Sequence, residues 1–122
     1  ADFKINKKYE YKIKKQDSLN LNLEKNVDIL NYVSNHNSMR PDLVIGFAAE
    51  TDNVENNAEK KLSTKNCDWI IANDVSNNKI GFSSDFNEVT VYYSDKKKEK
   101  LSYKKKSEIS DEIVDRIIDQ LN

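Results

Sequence analysis

The sequence contains very little cysteine, glycine, proline and histidine. Its 122 residues include one cysteine, two glycines, one proline and one histidine. The single cysteine, Cys67, cannot form an internal disulfide, which favours a reduced, cytoplasmic protein. Two isolated glycines, Gly46 and Gly81, cannot form a GxGxxG or P-loop phosphate cradle, and no paired-cysteine metal site is present. The only histidine, His36, has no second ligand at metal spacing, which indicates a solvated loop residue.

Long apolar runs and an excess of charge of one sign are also missing. No run approaches the roughly 18 apolar residues of a membrane helix. The 20 basic and 21 acidic side chains leave a formal net charge of −1, so neither nucleic acid nor a membrane is predicted as a partner. The length suffices for one domain that buries roughly two thirds of its unfolded surface. Because Ala1 is followed at once by what resembles the middle of a fold, we expect a piece of a longer polypeptide.

The stretch from about 41 to 76 predicts a βαβ unit. Short apolar runs at 43–45 and 69–72 are typical of buried parallel strands, and Gly46 is expected to end the first one. Ligands of such units bind beyond the carboxyl ends of the strands. Here those ends would lie at residues 47–51 and 73–76.

The segment between these strands predicts an amphipathic helix. Asp52 and Glu55 have the spacing of a capping box, and an apolar stripe follows at Val54, Ala58 and Leu62. Lys61 and Lys65 lie on or beside that stripe. They either complement the helix dipole in water or face a ligand cleft. Phe47, after the expected Gly46 turn, either stacks on a base or packs in the core.

The first 25 residues predict an antiparallel hairpin arm at about 8–25. Tyr9, Tyr11 and Ile13 alternate with charged residues, and a second alternation follows at Leu19, Leu21 and Leu23. A lone hairpin is marginal in water, so its apolar face is expected to pack elsewhere, with a second subunit as a candidate. Lys12, Lys14 and Lys15 either bind phosphate or protect an edge strand from aggregation.

Two further segments complete the chain. Residues 27–34 have apolar residues at helical spacing, and the backbone amides at the start of that helix could hold an anion. Residues from about 88 to 122 predict an antiparallel hairpin followed by a helix. This helix carries an apolar ridge and an N-cap at Ser107, with the ridge at Ile109, Ile113, Ile117 and Leu121.

Several motifs resemble one enzyme family in the same order. An ADF at the start, KIKK ten residues later, GFAAET from Gly46 and NDVS from Asn73 are similar to bacterial phosphopantothenoylcysteine synthetase. This enzyme is the C-terminal half of a bifunctional decarboxylase and synthetase of coenzyme A biosynthesis. The resemblance covers essentially the whole chain. It implies a Rossmann-like (ribokinase-like) three-layer α/β fold, of which 1–122 would be the C-terminal part, with the hairpin as a dimerisation arm.

The resemblance also implies a reaction and its ligands. A CTP-dependent ligase of this kind joins 4'-phosphopantothenate to cysteine through an acyl-cytidylate, releasing pyrophosphate and then CMP. Magnesium would bridge the triphosphate, with no metal ligand supplied directly by the protein, and FMN would belong only to the separate decarboxylase domain. A homodimer and the N-terminal half of the same protein are the implied partners.

Site residues follow from matching the family motifs. Lys12 matches the lysine that serves the phosphates and the intermediate, with Lys14 and Lys15 beside it in a flap. Val27 replaces the proline of a Pro-Asp-Ile-Val nucleotide contact. Asn73 and Asp74 are candidates on the substrate side. The matched nucleotide-binding positions are Asp2, Lys12, Val27, Asp28, Ile29, Leu30, Phe47, Lys61 and Lys65.

The chain lacks the preceding half of the family domain. That half supplies a glycine-rich phosphate loop, the first strands of the sheet and an asparagine that processes the acyl-cytidylate. We therefore expect the isolated chain to be inactive. The alternative function is a catalytically incomplete nucleotide-binding or dimerisation module.

Overall fold

The computed structural model describes residues 1–6, 10–14, 18–76 and 84–122. Within these ranges the elements form a mixed α/β domain. In chain order they are β1 (Phe3–Ile5), β2 (Leu23–Lys25), α1 (Ile29–Ser34), β3 (Ile45–Glu50), α2 (Val54–Thr64), β4 (Trp69–Asp74), β5 (Phe86–Tyr93), β6 (Lys98–Lys105) and α3 (Lys106–Leu121).

A four-stranded sheet forms the centre of the domain, in the order β3-β4-β5-β6. Strands β3 and β4 are parallel with α2 between them, which confirms the predicted βαβ unit. The other two pairings are antiparallel. Consecutive β4 residues point to opposite faces: Ile70 packs with Ala58 of α2, whereas Ile71 packs with Ile109 of α3. The sheet is therefore covered on both faces, and the Rossmann-like three-layer prediction is confirmed.

The prediction that Gly46 ends the first core strand is wrong, because Gly46 lies inside β3. The strand continues to Glu50 since each residue from Ile45 onward has a partner on β4. A Cβ at position 46 would lie 2.6 Å from Ile70 Cδ1 and 2.8 Å from Leu30 Cδ2. An alanine at this position would therefore require the ends of the Ile70 and Leu30 side chains to shift.

Both predicted helix starts differ from the structure. Helix α2 is preceded by Asn53 in a left-handed conformation, so Asp52 does not cap it. The backbone carbonyl of Asp52 instead accepts a 3.1 Å hydrogen bond from the Asn57 side chain. Helix α3 begins at Lys106, ahead of Ser107, and Glu108 accepts from the Lys105 amide at 3.1 Å.

The hairpin arm pairs different residues from those predicted. Strand β1 (Phe3–Ile5) pairs antiparallel with β2 (Leu23–Lys25), so the paired residues lie at 3–5 and 23–25. Residues 10–14 carry no strand, and the predicted strand residue Tyr9 lies outside the described residues. Leu19 and Leu21 are each 55% exposed. The apolar face of a hairpin built on 9–13 would not be covered by any residue in the described part of the chain. Alternation alone was therefore insufficient to predict a strand.

The C-terminal elements agree with the prediction at about 88–122. Strands β5 and β6 form the expected hairpin, and α3 packs on it through Ile109, Ile113 and Ile117. Arg116 joins α3 to β6 by two hydrogen bonds to Glu99, at 2.9 and 2.5 Å. Among the described residues, no helix is both long enough and apolar enough to cross a membrane.

Candidate functional site

A cleft of about 630 Å³ lies beside Phe47 of β3, which is the edge strand of the sheet in the described part of the chain. The end of the β1–β2 ribbon, the start of α1 and the second half of α2 form its walls. We predicted a site beyond the carboxyl ends of the strands. Because β3 extends past Phe47 to Glu50, the cleft lies partly beside the edge strand. Its lining residues are Ala1, Asp2, Phe3, Lys25, Asn26, Val27, Asp28, Ile29, Leu30, Phe47, Lys61, Lys65 and Ile70.

Lys65 contributes an ammonium group to the cleft from the end of α2. Its Nζ donates to Oδ2 of Asp28. Asp28 is also the N-cap of α1, since its Oδ1 accepts from the Asn31 amide at 2.9 Å. The hydrogen bond from Lys65, reinforced by that from Asn31, lowers the pKa of Asp28. One carboxylate therefore connects the start of α1 to the end of α2.

Lys61 contributes a second ammonium group, one turn earlier on the same helix. Its Nζ lies 2.5 Å from Oε1 of Glu50, at the end of β3. The Glu50 side chain is 13% exposed, and its Oε2 accepts from the Asn57 side chain at 3.1 Å. Because Glu50 is held from two sides, it fixes the position of Lys61 against the strand.

A polar cluster under the cleft holds the two helices together. Ser34 is fully buried, and its hydroxyl donates to the backbone carbonyl of Lys65. Arg40 donates to the Ser34 carbonyl at 2.9 Å and to Asp68 at 2.9 Å. Asp68 also accepts from the Val44 amide at 2.7 Å. The ends of α1 and α2 and the start of β4 are thereby fixed relative to one another.

The structure brings together most of the predicted nucleotide-binding positions. Eight of the nine line this one cleft, and Phe47 lies there with 73% of its surface exposed. The remaining position, Lys12, is exposed and does not line the cleft, and the same holds for Lys14. Lys15 lies outside the described residues. The eight positions are Asp2, Val27, Asp28, Ile29, Leu30, Phe47, Lys61 and Lys65.

The structure separates the two predicted substrate-side residues. Asn73 lines a second cavity, of about 330 Å³, which shares Phe47 with the first cleft. Asp74 instead accepts from the hydroxyl and amide of Ser76, at 2.6 and 2.9 Å, and these bonds lower its pKa. Asp74 is thus held in a local turn with Ser76 and does not line this cavity.

Sequence reasoning missed one charged residue of the cleft, Lys25. The predicted alternation in the second half of the arm placed Leu19, Leu21 and Leu23 on one face and ended at Leu23. Extending the period by two residues would have put Lys25 on the face of Leu23. The structure places Lys25 at the end of β2, in the lining of the cleft.

Cys67 does not line this cleft. It borders a third cavity, of about 410 Å³, just before the start of β4, and none of the predicted site residues in the described ranges lines it. Burial raises the pKa of the Cys67 thiol. A protonated, buried thiol is a poor nucleophile, which agrees with a packing role.

The first cleft has the chemistry of an anion site next to an exposed aromatic ring. Lys25, Lys61 and Lys65 supply three ammonium groups, and Asp2 and Asp28 supply two carboxylates. Flexible ammonium groups suit phosphates as ligands, and Phe47 offers a free ring face for stacking. Within the described residues no group of three His, Cys, Asp or Glu side chains is arranged to hold a metal ion.

The fold and this cleft define a Rossmann-like α/β domain with a lysine-lined site on an edge strand. A family model described as the DNA/pantothenate metabolism flavoprotein C-terminal domain matches residues 1–121, and the chain belongs to that family. Curated relatives named coenzyme A biosynthesis bifunctional protein CoaBC include one from Bacillus subtilis, 41% identical over 96% of this chain, and one from Haemophilus influenzae, 40% identical over 98%. The chain spans 29% and 30% of their lengths.

Solved structures have the same fold. The C-terminal domain of a coenzyme A biosynthesis bifunctional protein CoaBC aligns with a TM-score of 0.67 at 39% identity, covering 83% of this chain and 45% of that one. The DNA/pantothenate metabolism flavoprotein from Streptococcus pneumoniae aligns with a TM-score of 0.62 at 25% identity, covering 87% of this chain and 46% of that one.

Proposed function

We propose that this chain is the C-terminal part of a CTP-dependent ligase of coenzyme A biosynthesis, which joins 4'-phosphopantothenate to cysteine. The main support is the gathering of eight motif-matched positions in one cleft. Relatives named for coenzyme A biosynthesis support the pathway. The lysine ammonium groups of the cleft suit the phosphates of a nucleoside triphosphate, and the ring of Phe47 suits its base.

The proposed reaction has two displacement steps. A carboxylate oxygen of 4'-phosphopantothenate attacks the α-phosphorus of CTP, the bond to the bridging oxygen breaks, and pyrophosphate leaves. The amine of cysteine then attacks the acyl carbon, the acyl–oxygen bond breaks, CMP leaves, and the amine loses a proton. Both steps depend mainly on positioning the reactants and neutralising phosphate charge.

In this proposal Lys61 and Lys65 bind the phosphate chain. Both ammonium groups already have carboxylate partners, so a phosphate must compete with Glu50 for Lys61 and with Asp28 for Lys65. The exchange at Lys65 is feasible because the Lys65 and Asp28 side chains are 33% and 44% exposed, and water-exposed ion pairs are worth at most about 1 kcal/mol. At Lys61 the Glu50 carboxylate keeps its hydrogen bond from Asn57 when the lysine turns to a phosphate. Phe47 stacks on the base.

Magnesium enters as part of the nucleotide substrate. This ion is usually bound through phosphate oxygens, waters and one or two carboxylates. In this proposal the phosphate oxygens and waters hold the ion, and Asp2, which lines the cleft, contacts the nucleotide. In this proposal FMN has no part in the ligation and belongs to the decarboxylase half of the full-length protein.

Lys12 is proposed as the catalytic residue that reaches the phosphates from outside the described cleft lining. It lies on the loop of the arm, with Lys14 and Lys15 as flap neighbours. A homodimer is proposed because Leu19 and Leu21 are exposed on that arm. A sedimentation measurement that gives the monomer mass for the full-length protein would contradict the dimer.

A direct test is CTP-dependent pyrophosphate release by the full-length protein that carries this sequence. Pyrophosphate release should require 4'-phosphopantothenate, and release of CMP should require cysteine as well. Lys61→Met and Lys65→Met should each lower kcat/KM for CTP by about 10-fold or more, because a hydrogen bond to a charged group is worth about 1.5–3 kcal/mol. Lys60→Met, on the exposed side of α2, is the matched control.

The alternative is a nucleotide-binding or dimerisation module without catalysis. This alternative is supported by the alignment with the solved domain, of which this chain covers 45%. Thermal unfolding with CTP and magnesium discriminates a binding module from a domain that binds no nucleotide. A ligand at about 100 times its Kd should stabilise the folded state by roughly 2.7 kcal/mol. Stabilisation without turnover in the full-length protein would favour the module, and absence of both would contradict nucleotide binding.

A further inference from the structure

We propose that Lys25 is a further nucleotide-binding residue, which reaches the phosphate chain from the β1–β2 ribbon. This inference rests on the proposed function of the same cleft. It adds a cation from a second wall to the two supplied by α2. The phosphate chain would then be held from opposite sides.

The register of the ribbon decides which of its lysines faces the cleft. Lys25 lies directly opposite Phe3, and Lys4 lies directly opposite Glu24. Directly opposed residues of an antiparallel pair share a face, and successive residues alternate. Phe3 and Lys25 both line the cleft, whereas Lys4 forms a 3.1 Å ion pair with Glu24 on the other face.

Charge pairing distinguishes Lys25 from the two lysines of α2. Lys61 is paired with Glu50, and Lys65 with Asp28. Lys25 forms no ion pair with any residue in the described ranges of the chain. It is thus the lysine of the lining that a phosphate can approach without displacing a carboxylate.

The backbone around Lys25 is anchored at the cleft. The next residue, Asn26, donates its amide to the Asp2 carbonyl at 2.8 Å and its side chain to the Ala1 carbonyl at 2.9 Å. Two residues further on, Asp28 caps α1. The base of the Lys25 side chain is therefore held between the ribbon and α1, and only its flexible stem must adjust to the ligand.

The test compares Lys25→Met with Lys4→Met in the full-length protein, using CTP with magnesium as the probe. Lys25→Met should raise KM for CTP by about 10-fold and should leave KM for 4'-phosphopantothenate unchanged. The dependence of CTP binding on salt concentration should weaken in the same variant, since one charge contact is lost. Lys25→Arg, which keeps the charge, should recover most of the affinity. Lys4→Met should behave as the wild type.

The possible failures are distinguishable. Wild-type CTP affinity and salt dependence in Lys25→Met, alongside a loss in Lys61→Met, would overturn the role of Lys25 and leave the proposed function standing. A change in KM for 4'-phosphopantothenate alone would also overturn it, because the contact would then be to the other substrate. If the wild type neither binds nor consumes CTP, both proposals fail.

Discussion

At the scale of single residues, the absence of a side chain matters as much as any charge. Gly46 allows Leu30 of α1 and Ile70 of β4 to meet over the backbone of β3. Leu30 is also part of the cleft wall. Packing at this position therefore fixes both the position of α1 on the sheet and the shape of the site.

Gly46→Ala should destabilise the fold and weaken nucleotide binding together. The new Cβ would approach both side chains to less than 3 Å. Ile70 is only 1% exposed and cannot move away, so Leu30 must shift towards the cleft. We expect a loss of about 1–2 kcal/mol in the free energy of unfolding, measured by urea denaturation, and a weaker CTP affinity by calorimetry. A variant with wild-type stability and affinity would show that α1 is not held in this way.

The charged residues of the site could be predicted in part. Helical spacing placed Lys61 and Lys65 on or beside one stripe and left open whether they face a cleft, and the match to the family motifs assigned them to the site. Their partners were not predictable, because Glu50 lies 11 residues and Asp28 lies 37 residues away along the chain. Such contacts depend on how α1 and α2 pack on β3, and no local pattern contains that information.

At the scale of elements, two ion pairs join α3 to β6, Lys104 with Glu112 and Arg116 with Glu99. Arg116 donates two hydrogen bonds to Glu99, and this pairing lowers the pKa of Glu99 below its ordinary value of 4.5. A carboxyl whose pKa is lower in the folded state stabilises the fold above its unfolded pKa. This contribution is lost as the pH falls through the lowered value.

Glu99→Gln should therefore be destabilising at neutral pH and nearly neutral in acid. Because 46% of the Glu99 side chain is exposed, we expect a loss of less than about 1 kcal/mol at pH 7. The difference from wild type should shrink as the pH falls below about 4, as measured by urea denaturation at several pH values. Asp115→Asn, on the exposed side of α3, is the control. A pH-independent difference would refute the electrostatic explanation.

Elements with long regular patterns were predicted well, and the arm was not. Continuous apolar runs indicated the buried strands of the βαβ unit, and apolar residues at helical spacing indicated the single buried faces of α2 and α3. In the arm, alternation in residues 9–13 and 19–23 indicated pairing between the wrong segments. The observed pairing of 3–5 with 23–25 is joined by Asn6 and Asn26, whose amides donate to Asn22 and Asp2 at 2.9 and 2.8 Å. These backbone bonds have no signature in side-chain periodicity.

At the scale of the whole molecule, the cleft lies where the sheet of this chain ends. Strand β3 is the edge of the four-stranded sheet among the described residues, and its residue Phe47 lines the cleft. The solved C-terminal domain to which this chain is similar is more than twice as long as the aligned part. We accordingly expect the remaining residues of the full-length protein to complete the site beside β3. Turnover should then require the full-length protein, and the isolated chain should retain at most binding.

The account rests on Lys61 and Lys65 converging on one nucleotide phosphate chain. A crystal structure of the full-length protein with CTP and magnesium tests this most directly. It should place phosphate oxygens about 3 Å from both Nζ atoms, with Glu50 and Asp28 partly or wholly released and the base against Phe47. CTP bound elsewhere, with both lysines still paired to their carboxylates, would contradict it.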